Sequence, residues 1–273
     1  MHHGLLAQGR AARPLAAKDI DDLATLLMLE DTRRLDPAAL TPILASPHPE
    51  VRRRAVIAVG RIANPAGAEL LMTARRDPDA EVRASVAFAL GQLKDPAAVA
   101  WLGETLLAPL TPPAVAREAA TALGKIQVPE SHAVLARYLT GAPMTRQSAP
   151  VVGDALLSIG RFNGPQDLAP LVKWISSPDS EVRWRATWAL FRPRDPAALP
   201  HLITLSADPS ADVRFWAVRG LGPSPATAGA FGAAAAAAPA ASDRARATAR
   251  LREALRDADR RVRTEALRAL AQL

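Results

Sequence analysis

The sequence predicts an all-α fold, a right-handed α-solenoid of about seven short helix pairs, on three observations. First, a ten-residue pattern recurs at Val51–Gly60, Val82–Gly91, Val115–Gly124, Val151–Gly160, Val182–Phe191, Val213–Gly222 and Val262–Ala271, with starts 31, 33, 36, 31, 31 and 49 residues apart. Self-similarity at this spacing marks a stack in which each unit buries its apolar face only against its neighbours. Second, the composition is that of an Ala/Leu/Val helix former, 49% hydrophobic but only 4% aromatic. Third, the prolines punctuate: Asp36-Pro37, Asn64-Pro65, Asp95-Pro96 and Asp195-Pro196 each place an N-cap residue before a proline at the first helical position.

Taken in chain order, residues 1–18 read as disordered, and Asp19–Arg34 as an opening helix. The array proper spans 19–222. Counted from each leading valine as position zero, position four is Ala or Val, position seven is small, and position eight is always aliphatic. Positions zero, four, seven and eight share one face of a helix. Position nine is glycine in five of the seven copies, read here as a helix stop that accepts left-handed backbone. Each copy is therefore the second helix of a pair, and a short acidic turn such as Asp77–Glu81 returns the chain to it. Residues 223–242 are an Ala/Pro/Gly run that reads as a flexible linker, and 243–273 form a final helix pair. That last helix lacks the polar face an exposed array end needs, which implies a docking partner or a boundary inside a longer chain. The spacings of 33 and 36 around Val115–Gly160 imply an irregular middle.

The pattern D-P-x-x-E-V-R-x-x-A-x-x-A-L-G-x-L-x-D-P-x-A, clearest in Asp77–Ala98, Ser177–Ala198 and Asp208–Gly222, resembles the short HEAT repeat of bilin lyase-type repeat proteins. The resemblance implies a binding scaffold rather than a particular activity. A weaker resemblance links IDDLATLLMLEDTRRLDPAAL and SADVRFWAVRGLG to HEAT-rich regions that precede a cyclophilin-like prolyl isomerase in some bacterial proteins. It implies the scaffold portion of a larger polypeptide or a relative that lacks the enzyme, because these residues hold no alternating strand pattern.

Chemistry has no visible address. There is no cysteine and no phosphate-loop, nucleophile-elbow or H-E-x-x-H motif. The five histidines lack ligand spacing, so neither a cofactor nor a metal is expected. Some HEAT-like proteins are DNA glycosylases, but the one candidate acid, Asp154, sits in apolar VVGDALL and reads as an ordinary surface residue. No signal peptide or membrane span is visible, so the chain as given reads as cytoplasmic.

The formal charge of +7 suggests an anionic partner. Arg52, Arg83, Arg183, Arg214 and Arg263 at position one are assigned, through the resemblance, to an internal ladder with the acidic turns. At position ten, Arg61, Lys125, Arg161 and Arg192 would line up as a basic stripe, either a solvated edge or a nucleic-acid site. Columns two, three and six gather the scarce aromatics among arginines: Arg54, Phe88, Trp184, Arg185, Trp188, Phe215, Trp216 and Arg219. Trp and Arg are enriched at interface hot spots, which points to a protein partner on the inner face. The alternative is that the rings pack between repeats. Trp101 and Trp174 fall on first helices and read as packing.

Overall fold

The structure, a computed structural model, describes residues 14–163, 167–222 and 241–273. The expected linker lies outside the described residues apart from Ala241 and Ser242, as does all of the expected N-terminal tail before residue 14. Among the described residues there are fifteen α-helices and no strand. The fold class is an all-α solenoid, divided into two compact units, 1–93 and 94–273.

In the first unit, α1 (Ala17–Asp31) is followed by two helix pairs, α2 (Pro37–Leu44) with α3 (Pro49–Ile62) and α4 (Gly67–Thr73) with α5 (Ala80–Leu93). The opening helix starts at Ala17 because Asp19 lies in its first turn and its carboxylate accepts from the Ala16 amide at 2.8 Å. Helix α3 packs between α1 and α5.

The second unit holds five pairs: α6 (Val99–Leu107) and α7 (Pro113–Ile126), α8 (Pro129–Gly141) and α9 (Ala149–Ile159), α10 (Ala169–Val172) and α11 (Ser180–Phe191), α12 (Leu199–Leu205) and α13 (Ala211–Leu221), α14 (Ala241–Ala254) and α15 (Arg260–Leu270). Its second helices stack in sequence order, α7 on α9, α9 on α11, α11 on α13 and α13 on α15. Outside the stretch around Val115–Gly160, α10 is only four residues long and is continued by a 3-10 turn, Lys173–Ser176.

The repeat columns make the core. The leading valines, the position-four residues and all position-eight residues except Leu270 are buried. The proline-start signals hold in atomic detail, since Asp36, Asp95 and Asp195 accept from backbone amides two or three residues on at 2.9–3.1 Å. Two of these starts open a 3-10 turn first, so α6 and α12 begin three residues past their prolines.

Position nine corrects the sequence reading. Gly160 and Gly222 do follow the last residues of α9 and α13, but with φ of −67° and −71°, whereas α3, α5 and α7 run past Gly60, Gly91 and Gly124; the left-handed residues come at position twelve, as Ala63, Lys94, Gln127 and Arg194. Position nine is instead where neighbouring second helices come closest. A Cβ built on Gly60 would lie 2.8 Å from the Ala89 Cβ, and one on Gly124 would lie 2.5 Å from the Ser158 Cβ. Gly160 against Ala189 and Gly222 against Ala269 repeat the contact, always position nine on position seven of the next copy. In the one copy with a large residue at position nine, Phe191, the facing position seven is Gly220, whose added Cβ would meet the Phe191 Cβ at 2.8 Å. Bulk and absence have exchanged places across one interface.

Candidate partner-binding face and cationic cavity

The position-one arginines are structural. Arg52 places its Nε and Nη2 on Asp77 at 2.6 and 2.9 Å, while its Nη1 donates to the Ser46 carbonyl at 2.9 Å. Arg183 does the same with Asp208 and the Ser177 carbonyl, and Arg214 with Asp257 and the Asp208 carbonyl. Arg83 and Arg263 each grip two carbonyls of the turn before them. Such charge-assisted forks tie each turn to the next. The Arg214 guanidinium holds the Asp257 carboxyl below the usual carboxylate range. At Asp77 burial pushes the other way, but the Arg52 hydrogen bond and the Asp79 amide prevail and lower it.

Columns two, three and six divide between the units. On the first, Arg54 is exposed on α3 and Phe88 is half-buried on α5. The second brings the remaining six residues onto α11 and α13. Trp184 is half-exposed, donates its Nε1 to Glu181 at 3.0 Å, and has the Arg185 guanidinium 4.6 Å above its ring. Arg185 lies flat over Gly153 of α9, which leaves room for its chain, and its Nε is buried without a hydrogen-bond partner. Trp216 stacks on Phe191 at 5.6 Å, meets Phe215 edge-on at 5.0 Å, and is capped by Arg219 at 5.6 Å. Trp188 leans on Gly160, where an added Cβ would sit 2.6 Å from its ring, and carries Arg192 at 5.7 Å. All four rings are half-exposed, and Trp188 and Trp216 also brace neighbouring repeats. Trp174 is core, 1% exposed, with its Nε1 on the Leu139 carbonyl at 3.1 Å.

Of the position-ten cations, Arg61 lies in the first unit and pairs with Glu30 at 3.1 Å. Lys125, Arg161 and Arg192 converge in the second unit around a cavity of about 580 Å³, together with Lys94 and the indole of Trp188. Lys94 was not singled out from the sequence. It reaches the cavity because the helix runs past position nine and ends in a left-handed residue there, φ 54°. Burial, opposed by Glu118 and reinforced by Arg161, lowers the Lys125 pKa. Burial likewise raises the Glu118 carboxyl.

Asp154 pairs with Arg117 at 2.6 Å, which makes it an ordinary surface salt bridge. The Nδ1 of His48 caps α3 by accepting from the Glu50 amide at 3.2 Å. Among the described residues no cluster could hold a metal ion, and no helix is long and apolar enough to cross a membrane.

The stacked pairs, with aliphatic columns inside and an Arg–Asp ladder joining their turns, can be set against known proteins. The family model described as HEAT repeats matches residues 37–112, 74–151 and 144–222, which together cover most of the chain. The chain belongs to the HEAT-repeat family. No curated protein matches it. Among solved structures, the HEAT array is similar in fold to the complex of CpcE and CpcF of phycocyanin lyase from Nostoc sp. PCC7120, with 24% identity, TM-score 0.50, and 88% of this chain and 96% of that chain covered. It is also similar in fold to the Escherichia coli protein YibA, with 16% identity, TM-score 0.59, and coverage of 96% and 88%. A HEAT array is a repeat scaffold suited to protein interaction.

Proposed function

We propose that this HEAT array is a non-catalytic scaffold that seats an acidic segment of a partner protein on the aromatic–arginine face of α11 and α13. The observation that carries the reading is the row of half-exposed rings on two successive helices, with Arg185, Arg192 and Arg219 lying against three of them. Trp188 and Trp216 also pack against neighbouring repeats, but Trp184 and Phe215 have no such packing partner on the next repeat. Rigid aromatics flanked by guanidinium groups are the chemistry of interface hot spots, each worth about 2 kcal/mol or more when truncated. Guanidinium groups and a net charge of +7 favour a partner carrying carboxylates. The solved complex of CpcE and CpcF supports the reading, since it is an assembly of a chain of this fold with a second protein.

The test replaces Trp184 or Phe215 by a photo-crosslinking residue, with Arg137 on the exposed face of α8 as control. Adducts at 184 and 215 but not at 137 are expected. The Trp184→Ala/Phe215→Ala variant should then lose the crosslinked partner by about thirtyfold, the equivalent of 2 kcal/mol. Equal crosslinking at 137, or undiminished binding by the double variant, overturns the proposal.

A further inference from the structure

Helices α1 and α15 expose opposite halves of the stacking interface. Ile20 stands 31 residues before Val51, so α1 carries Ile20, Ala24, Leu27 and Met28 in positions zero, four, seven and eight. In every later copy positions zero and four are buried, yet on α1 Ile20 is 58% and Leu27 56% exposed, and Ala24 and Met28 are exposed with them. The other side of α1 is satisfied. It packs on α3, with Leu29 at position nine buried and Glu30 paired to Arg61. Helix α15 is the reverse. Its position seven, Ala269, meets Gly222 at the end of α13. Its position five, buried in every earlier copy from Val56 to Val218, is Leu267 at 63% exposure, and Ala271 at position nine is exposed too. Within the chain, position nine of one second helix packs on position seven of the next. Helix α15 thus presents the position-nine side of that contact and α1 the position-seven side, each without its counterpart among the described residues.

Charge decides what covers these faces. Every charged residue of α1 except Lys18 is acidic, and every charged residue of α15 except Glu265 is an arginine. Pairing α1 with α1, or α15 with α15, would set like charges together, whereas pairing α15 with α1 sets opposite charges together. Such a joint needs no ladder rung, since α7 already stacks on α9 with Ala116 at position one. We propose that the α15 face of one copy of this chain docks on the α1 face of a second copy, continuing the stack from chain to chain through Leu267, Ala271, Ile20 and Leu27. The contact joins two different faces, so the association is heterologous and head-to-tail. One helix face is a small interface, which makes the association reversible and dependent on concentration. None of these four residues belongs to the partner-binding face, so each proposal can fail without the other.

The experiment is sedimentation velocity of the whole chain over a wide range of loading concentration, with Leu27→Arg to block the α1 face and Leu267→Glu to block the α15 face. Both side chains are exposed, and an unchanged urea midpoint shows that each variant keeps the fold. The unaltered chain should associate as its concentration rises. Each variant alone should associate at least about tenfold more weakly, because it sets like charge against like. An equal mixture of the two should recover the strength of the unaltered chain, since one variant keeps a working α15 face and the other a working α1 face. Rising salt should weaken that mixed complex. A chain that stays monomeric at every concentration leaves the faces to another occupant and overturns the proposal. So does a variant that alone associates like the unaltered chain, which assigns α1 to α1 or α15 to α15. A mixture no tighter than either variant, or a mixed complex indifferent to salt, overturns it as well.

Discussion

Replacing Gly60 by alanine tests how the repeats are spaced. In an isolated helix interior the change favours the helix by about 1 kcal/mol. In this protein the new Cβ would lie 2.8 Å from the Ala89 Cβ and 2.9 Å from its Cα, where ordinary contact begins at 3.4–4 Å. Helices α3 and α5 must therefore separate by about 0.6–1.2 Å, the difference between those distances, along an interface whose other columns are close-packed. Overpacking of that kind costs about 1–3 kcal/mol. The matched control is Gly141→Ala at the end of α8, where an added Cβ meets nothing within 4 Å and only the propensity gain remains. Urea unfolding followed by circular dichroism should place Gly60→Ala below Gly141→Ala by about 1–3 kcal/mol. Adding Ala89→Gly to Gly60→Ala should restore part of the loss, with a coupling of about 0.5 kcal/mol or more. If Gly60→Ala stabilises as Gly141→Ala does, or if Ala89→Gly merely adds its own penalty, position nine is not a spacing device.

Two further outcomes follow from the ladder. Arg183→Ala strips the fork from Asp208, which is 9% exposed at its side chain, and should cost about 3 kcal/mol in urea unfolding; Lys18→Ala, removing a lysine 74% exposed, should move stability by no more than about 0.5 kcal/mol. Because the Asp257 and Asp77 carboxyls are held below the ordinary value of 3.8 in the folded chain, the stability they supply is complete above that pH and is lost as pH falls through their lower folded values. The urea midpoint should therefore be flat from pH 7 to about 5 and fall below about 4, and Arg214→Gln should flatten that acid limb.

The stack was legible because it rests on what repeats. Valine at zero, alanine at four and an aliphatic residue at eight give a face of helical period, and that face is buried. The ladder was expected through the resemblance, and the structure supplies its geometry: Arg214, six residues past Asp208, reaches a carbonyl of its own turn and the acid of the next. The role of position nine was not legible from one copy. Glycine near a helix end ordinarily signals a left-handed cap, yet here Ala63, Lys94, Gln127 and Arg194 take that conformation, and nothing about those residue types marks them for it. The signal that existed lay between copies: Phe191 at position nine coincides with Gly220 at the next position seven. The cavity was half legible. Position ten supplied Lys125, Arg161 and Arg192, but Lys94 escaped because its helix end had been set three residues too early.

In such an array the columns that recur can only encode stacking, because every copy must satisfy the same neighbours. Whatever distinguishes this chain from another stack must therefore sit where a copy departs from the pattern without breaking it. The departures here are concentrated: Trp184, Trp188, Phe191, Phe215 and Trp216 all fall in α11 and α13, and the column of Trp184 and Phe215 holds Ala84, Arg117 or Gly153 in earlier copies, although the column of Trp188 also holds Phe88. Trp188 leans on Gly160, which belongs to the recurring position-nine column, Arg185 beside Trp184 lies over Gly153, and Phe191 faces Gly220, the one pair in which bulk and its absence have changed places. We propose that these departures, rather than the recurring columns, serve a partner; the four rings other than Phe191 are all half-exposed, so each is open to one.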